Sequence, residues 1–351
     1  MDEAARKRQA VRELADGAPV VASTQATTRW LLCGRGRPVD VGSVDYTVVL
    51  RGDDAFVLFM DIETSRVDAE ERFTELGYEH VPFPWHEGPA ETIRRLAGGD
   101  ARSDAELEGQ IAPHRRSLGP EELERYRAAA ADTAAAFAET LDLLAPTDTE
   151  LEAAGELARA ARARGLVPRV DLVAGETRQP LHRHPLPTRA PLGRHALLAI
   201  TAECDGLHVS MTRIVSFGEP PAELARIQQA TAEVDAAVLA ASRPGVTHGE
   251  LLDVLAQAYE AQGFPEEWRR HHQGGLTGYK GREVFATPGE ATPLPERGAV
   301  AWNPSITGGG KSEDTVLVGP EGIEVATRTP ELGEIPTESG IPRAAIVVRP
   351  A

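Results

Sequence analysis

The chain has 351 residues, 41% of them hydrophobic and 26% charged, and carries a formal net charge of −17. That length can bury two cores, and the acidic excess argues against a nucleic-acid partner, because a phosphate backbone needs clustered Lys and Arg. Only two cysteines, Cys33 and Cys204, are present, with no Cys-x-x-Cys, which argues against a disulfide framework or a thiolate metal site.

The N-terminal stretch MDEAARKRQAVRELADG is charged and lacks an apolar signal segment. No run reaches the ~18 apolar residues that span a bilayer, so a cytoplasmic location is expected. PVVAS (19–23), WLLCG (30–34), YTVVL (46–50) and AFVLFMDI (55–62) read as buried strands. ETSRVDAEERFTELG (63–77) and PAETIRRLAGG (89–99) read as helices, giving a small α/β domain over 1–115 that ends in the polar linker HRRSLGP (114–120).

A long helix is predicted from Pro120, because Leu123, Tyr126, Ala130, Ala134, Phe137, Leu141 and Leu144 recur at intervals of three and four. Pro146 stops it. An internal repeat follows: PTDTELEAAGELARAARARGLVP (146–168) mirrors PGVTHGELLDVLAQAYEAQGFP (244–265). Each copy has a Pro turn, a Thr before Glu-Leu as a cap, an amphipathic helix and a terminating Gly. Each follows an alanine-rich helix, 121–145 or 221–242, and precedes strand-like segments. This places two related α/β halves over 116–328, with a Pro-, Gly- and Glu-rich tail over 329–351 that is either a flexible end or a strap. Trp302 is expected in the core.

Three segments carry the chemistry: HALLAITAECDGLHVSMTRIVSFG (195–218), HHQGGLTGY (271–279) and AWNPSITGGGKSEDTVLV (301–318). They resemble the C-terminal domain of the pita-bread family, which includes aminopeptidase P, prolidase, methionine aminopeptidase and creatinase. The resemblance implies an α/β fold, a pita-bread domain of pseudo-twofold halves behind a smaller creatinase-like N-terminal domain. It also implies a dinuclear metal cage of Asp, Asp, His, Glu and Glu. At those places this chain holds Ala199, Ser210, His272, Asn303 and Glu313. Two divalent ions need several anionic oxygens at close range, and even one catalytic zinc usually has three protein ligands. No metal and no cofactor is therefore expected.

The remaining polar groups still converge in the family pattern. His182, 17 residues before Ala199, matches the family's substrate-facing histidine, and His184 competes for that role. Tyr279 stands seven residues after His272, where metal-dependent members often carry another histidine, and Arg282 and Glu283 follow. His271 reads as a residue beside the site. Creatinase, which keeps the fold without metals, implies a metal-independent hydrolase acting on a C–N bond of a small polar substrate. His182, His272 and Glu313 would be catalytic, with His184, Ser210, Tyr279, Arg282 and Asn303 as substrate contacts. A His against a carboxylate can relay a proton, since the anion raises its pKa and orients its ring. Two other readings compete: an inactive binding module, as in the peptidase-like domain of a histone chaperone subunit, and an Xaa-Pro metallopeptidase. A small-molecule partner and a homodimer are expected by the same resemblance.

Overall fold

The computed structural model describes residues 2–40 and 42–350. Contacts divide the chain into a unit of residues 1–121 with 205–207, and a second of 122–204 with 208–351. The division falls inside a helix rather than at the expected 115.

In the first unit Asp2 caps helix α1 (Glu3–Leu14) by accepting the Ala5 N–H at 2.7 Å. There follow β1 (Val20–Ala22), α2 (Gln25–Leu31), β2 (Thr47–Arg51), β3 (Asp54–Met60) and the single turn α3 (Thr64–Arg66). β4 (Glu79–Phe83), α4 (Ala90–Ala97), β5 (Arg102–Ser103) and α5 (Glu108–Arg116) complete it. One mixed sheet runs β4-β3-β2-β1-β5, with β3–β4 and β1–β5 parallel.

Three sequence expectations change here. Trp30–Gly34, read as a strand, begins in α2, where Ala26 to Leu31 are all buried; a short run buried all round has no period to separate helix from strand. The helix expected over 63–77 is broken, because Arg72 turns left-handed at φ 46° between a π turn and a 3₁₀ turn. The expected linker at 114–120 opens inside α5.

The second unit starts with α6 (Pro120–Leu143), α7 (Glu150–Ala163), β6 (Val167–Gly175), β7 (His195–Cys204) and β8 (Leu207–Phe217). The same succession of two helices and strands returns in α8 (Ala222–Ala241), α9 (His248–Ala261), β9 (Gly274–Thr277), β10 (Val284–Phe285) and β11 (Gly298–Trp302). Short strands β12 (Ser305–Ile306) and β13 (Gly310–Lys311) lead into β14 (Asp314–Gly319) and β15 (Gly322–Val325). β16 (Glu334–Ile335), β17 (Arg343–Ala344) and β18 (Val347–Arg349) close the chain. One sheet is ordered β18-β8-β7-β6 and the other β10-β9-β11-β14-β15.

The repeat is built in matching detail. α7 and α9 each span 14 residues and each opens with a capping box, Thr149 with Glu152 and Thr247 with Glu250. Thr149 pairs with Pro191 and Thr247 with Pro293 in matching isolated bridges. In each box the Glu carboxylate accepts the Thr N–H while the Thr hydroxyl accepts the Glu N–H, so two orphan N–H groups are satisfied reciprocally and each helix start is fixed by local sequence. Thr212 N–H donates to Glu313 C=O (3.0 Å) and Ser210 N–H to Thr315 Oγ1 (2.7 Å), joining β8 of one half to the start of β14 in the other.

The segment beyond 329 is laced into this unit. Arg343 donates to Asp235 (2.7 Å) and Asp314 (2.6 Å), and β18 lies parallel to β8, Val347 opposite Val215. Among the described residues no helix is long and apolar enough to cross a membrane.

Candidate active site

A cavity of about 550 Å³ opens in the second unit between the strands of its two halves. Its apolar wall comes from Leu172, Ala199, Ile200 and Phe285; its polar lining includes His184, His272, Arg282, Asn303, Lys311 and Glu313, with Arg169, Thr201, His208 and Lys280 beside them. β7 and β8 reach it as a hairpin whose two-residue turn, Asp205-Gly206, has φ of 48° and 76°. That left-handed pair matches the twist of the flanking strands.

Glu313 is the centre of the polar side. Its Oε1 accepts from Arg282 Nη2 (3.0 Å), its Oε2 accepts from Thr212 Oγ1 (2.8 Å), and Lys311 Nζ stands 4.0 Å from Oε2. Arg282 Nη1 also donates to Gly281 C=O (2.6 Å) and to Ser210 Oγ (3.3 Å). Ser210, fully buried, pairs its hydroxyl with Thr201 across the hairpin at 3.0 Å. The Asn303 side chain is buried with its Oδ1 unpartnered.

The histidines stand along one rim. His271 and His184 bring their Nε2 atoms to 2.9 Å, and the His271 and His272 rings stack at 4.4 Å. Phe285 meets the His272 ring edge-on at 5.1 Å. Burial, then the charge of Arg282 and the neighbouring His184, pushes His272 down to about 4. Burial together with the Lys311 charge lowers His184 and His271 as well. All three are therefore neutral near pH 7, and two neutral rings 2.9 Å apart can share one N–H donor and one acceptor.

Five of the eight predicted site residues line this cavity: His184, His272, Arg282, Asn303 and Glu313. Ser210 sits just behind them, bonded to Arg282. Two do not. His182, expected to be catalytic, is exposed and lines a separate hollow of about 270 Å³. Its N–H still closes a turn on Arg178 C=O, whereas three residues on the chain is pinned by Val173 N–H donating to Pro185 C=O, next to His184 at the cavity. Tyr279, expected to touch substrate, is buried and donates to Glu122 Oε1 of α6 at 2.8 Å. The expected His272–Glu313 relay is also not built: Glu313 is held by Arg282 and Thr212. Lys311 escaped the sequence reading, although it stands two residues from Glu313 in an extended segment and so shares its face.

A dinuclear metal pair does not fit these residues. Ala199 has no ligand atom and packs with Leu172, Leu197, Ile214 and Leu224. The one carboxylate is already bonded by a guanidinium, and a buried ammonium stands beside it. His184, His271 and His272 are the one group of three whose ligand atoms, within 4.8 Å of one another among the described residues, could approach a single ion. The charges of Lys311 and Arg183 bear on that cluster and oppose a dication there.

Residues 124–320 match the model of metallopeptidase family M24. The chain is similar in structure to the X-Pro aminopeptidase of Thermotoga maritima MSB8, with a TM-score of 0.75 at 19% identity over 99% of this chain and 100% of that one. The dipeptidase PepE of Mycobacterium ulcerans gives 0.72 at 17% identity, covering 99% and 98%. The N-terminal domain of the FACT complex subunit SPT16 from Cicer arietinum (chickpea) gives 0.66 at 12% identity, covering 93% and 95%. At these identities the likeness concerns the fold, a pita-bread domain with a smaller α/β domain before it. No curated protein matches the chain by sequence.

Proposed function

The chain belongs to metallopeptidase family M24, and from that premise we propose that it is a hydrolase cleaving a C–N bond of a small polar substrate without the family's metal pair. The observation that carries this reading is the fate of Glu313. Its two oxygens are bonded to Arg282 and Thr212, so the carboxylate left from the metal cage anchors a guanidinium inside a cavity that is still open.

In this reading His272 is the proton carrier. A neutral imidazole at the cavity wall can take a proton from a water as the water oxygen attacks the carbon. The C–N bond then breaks, and the same proton passes from the imidazolium to the leaving nitrogen. His184 stands across the rim from His272, their ring centres 5.5 Å apart, and helps hold the entering water. Asn303 serves as a polar contact where the family pattern has a ligand, and Ser210 holds Arg282 from behind. Arg282, fixed by Glu313, keeps its positive charge near the reacting centre, where a developing negative charge is stabilised best in a site that excludes water.

The test is turnover of a panel of small amides, dipeptides and guanidino compounds by protein stripped with a chelator, read by mass spectrometry. Activity that persists after stripping and is lost in His272→Ala is the expected result. Activity restored only by Mn²⁺, Co²⁺ or Zn²⁺ overturns the reading in favour of an Xaa-Pro metallopeptidase. A second reading is an inactive binding module, since Ala199, Ser210 and Asn303 stand where the family pattern has carboxylates. No turnover on any compound, together with an unchanged partner interaction in His272→Ala, favours that alternative. Size-exclusion chromatography with light scattering tests the proposed homodimer.

A further inference from the structure

We infer that the cavity is a carboxylate-recognition site, with Lys311 as its anchor, and that its ligand is a small N-acylated amino acid rather than a free dipeptide. The inference names the substrate class of the reading above and rests on it for the reaction, but not for binding.

The first support is a charge imbalance. Arg282, partly buried, and Lys311, buried, face the single carboxylate of Glu313. Arg282 satisfies that carboxylate at hydrogen-bond distance, while Lys311 stands at 4.0 Å, beyond a hydrogen bond. No hydrogen bond from the Lys311 ammonium is found among the described residues, and its side chain is only 4% exposed. Its backbone is held on both sides by Gln228, which accepts from the Lys311 N–H (3.1 Å) and donates to the Lys311 C=O (3.1 Å). This fixes the backbone from which the Lys311 side chain enters the cavity. A buried cation without a full partner is costly, and burial lowers the Lys311 pKa accordingly. An anion in the cavity would relieve that cost.

The charge count selects the anion. Beside Glu313 itself, two cations face one carboxylate and leave one positive charge over at Lys311, which a single carboxylate of a ligand can meet; Arg169, paired with Glu203, and Lys280 stand elsewhere on the lining. A free α-ammonium would instead meet Arg282, Lys311 and the neighbouring Lys280 in the same cavity, so a dipeptide with an open N-terminus is disfavoured. The second support is the buried, unpartnered Oδ1 of Asn303, an acceptor waiting for an N–H. An N-acyl amino acid offers that N–H on the atom adjacent to its carboxylate-bearing carbon. Leu172, Ile200 and Phe285 line the rest of the cavity and suit an apolar side chain.

Isothermal titration calorimetry on the full chain tests this with N-acetyl-L-leucine, its neutral amide N-acetyl-L-leucinamide, the dipeptide glycyl-L-leucine and inorganic phosphate. N-acetyl-L-leucine is expected to bind at least tenfold more tightly than each of the others, since one charge-assisted contact is worth about that factor. Lys311→Met is expected to remove that preference and leave the amide's affinity unchanged, while Lys311→Arg keeps it. Equal binding of acid and amide, tighter binding of phosphate or dipeptide, an unaltered preference in Lys311→Met, or no binding of any probe would overturn the inference. Binding as expected without C–N cleavage removes the proposed reaction and leaves the carboxylate site standing.

Discussion

Glu313 and Asp314 are neighbours in sequence and opposites in setting. Asp314 faces a closed cluster in which Arg213 donates to Oδ1 (2.9 Å) and Arg343 to Oδ2 (2.6 Å), with Asp235 accepting from Arg343 and from Ser312. Two guanidinium groups meet two carboxylates there, and each charge is used. On the other face, Glu313 meets Arg282 and Lys311, and one cation remains over. Thr212 and Arg213 on β8 split the same way, the first bonding Glu313 and the second Asp314. The alternation of an extended chain has sent one residue of each pair to a balanced cluster and the other to an open cavity. Balance marks a cluster that holds the fold; a surplus beside a cavity marks one built to meet something else.

The largest effect that would break this contrast is on stability. Arg343→Met leaves two buried carboxylates without their shared partner and is expected to cost about 3–5 kcal/mol in urea denaturation. Lys311→Met removes a surplus charge and is expected to change stability by less than about 1 kcal/mol, or to raise it. Similar losses from both would mean that the two clusters are of one kind. Next in size is Ala199→Asp, which returns a carboxylate to a family position but buries it among Leu172, Leu197, Ile214 and Leu224. A loss of about 1–3 kcal/mol is expected, with no gain in bound metal by elemental analysis. If that variant instead takes up Mn²⁺ or Zn²⁺ stoichiometrically, the cavity is closer to a metal cage than its charges imply.

The smallest effect is on pH dependence. His272 titrates near 4 in the folded chain and near its ordinary 6.5 when unfolded, with Arg282, His184, Lys311 and Glu313 facing it. Below 6.5 the unfolded state gains a proton that the folded state refuses, so stability falls as pH drops from 6.5 towards 4. His184 and His271 are shifted in the same direction and add to the fall. Melting temperatures of His272→Gln across that window should show a flatter acid limb than the parent chain. An unchanged limb would mean that His272 is more open to water than its packing against Phe285 and His271 suggests.

What could be read from the sequence was what depends on neighbours along the chain. The two capping boxes were legible because Thr149 and Glu152, and Thr247 and Glu250, are three residues apart. The absence of carboxylates at 199, 210 and 303 was legible because the segments around them resemble the family's motifs closely enough to align residue by residue. The direction of loop residues was not. His182 and His184 sit in one Pro-rich stretch, and contacts with distant segments decide between them, among them Val173 N–H to Pro185 C=O and the His184–His271 pair. Tyr279 was lost to the cavity because Glu122, more than 150 positions earlier, captures its hydroxyl. Lys311 was within reach: its spacing of two from Glu313 is a strand signal, obscured by the three glycines that precede it.

The strand at Val347–Arg349 also bears on association with other chains. It lies beside β8 and covers the backbone edge of Val215–Phe217, while Arg343 ties the segment before it to Asp235 and Asp314. An uncovered edge of that kind presents unpaired backbone groups able to recruit a foreign strand. The buried ion pairs of Arg343 therefore guard a sheet edge as well as balancing two carboxylates.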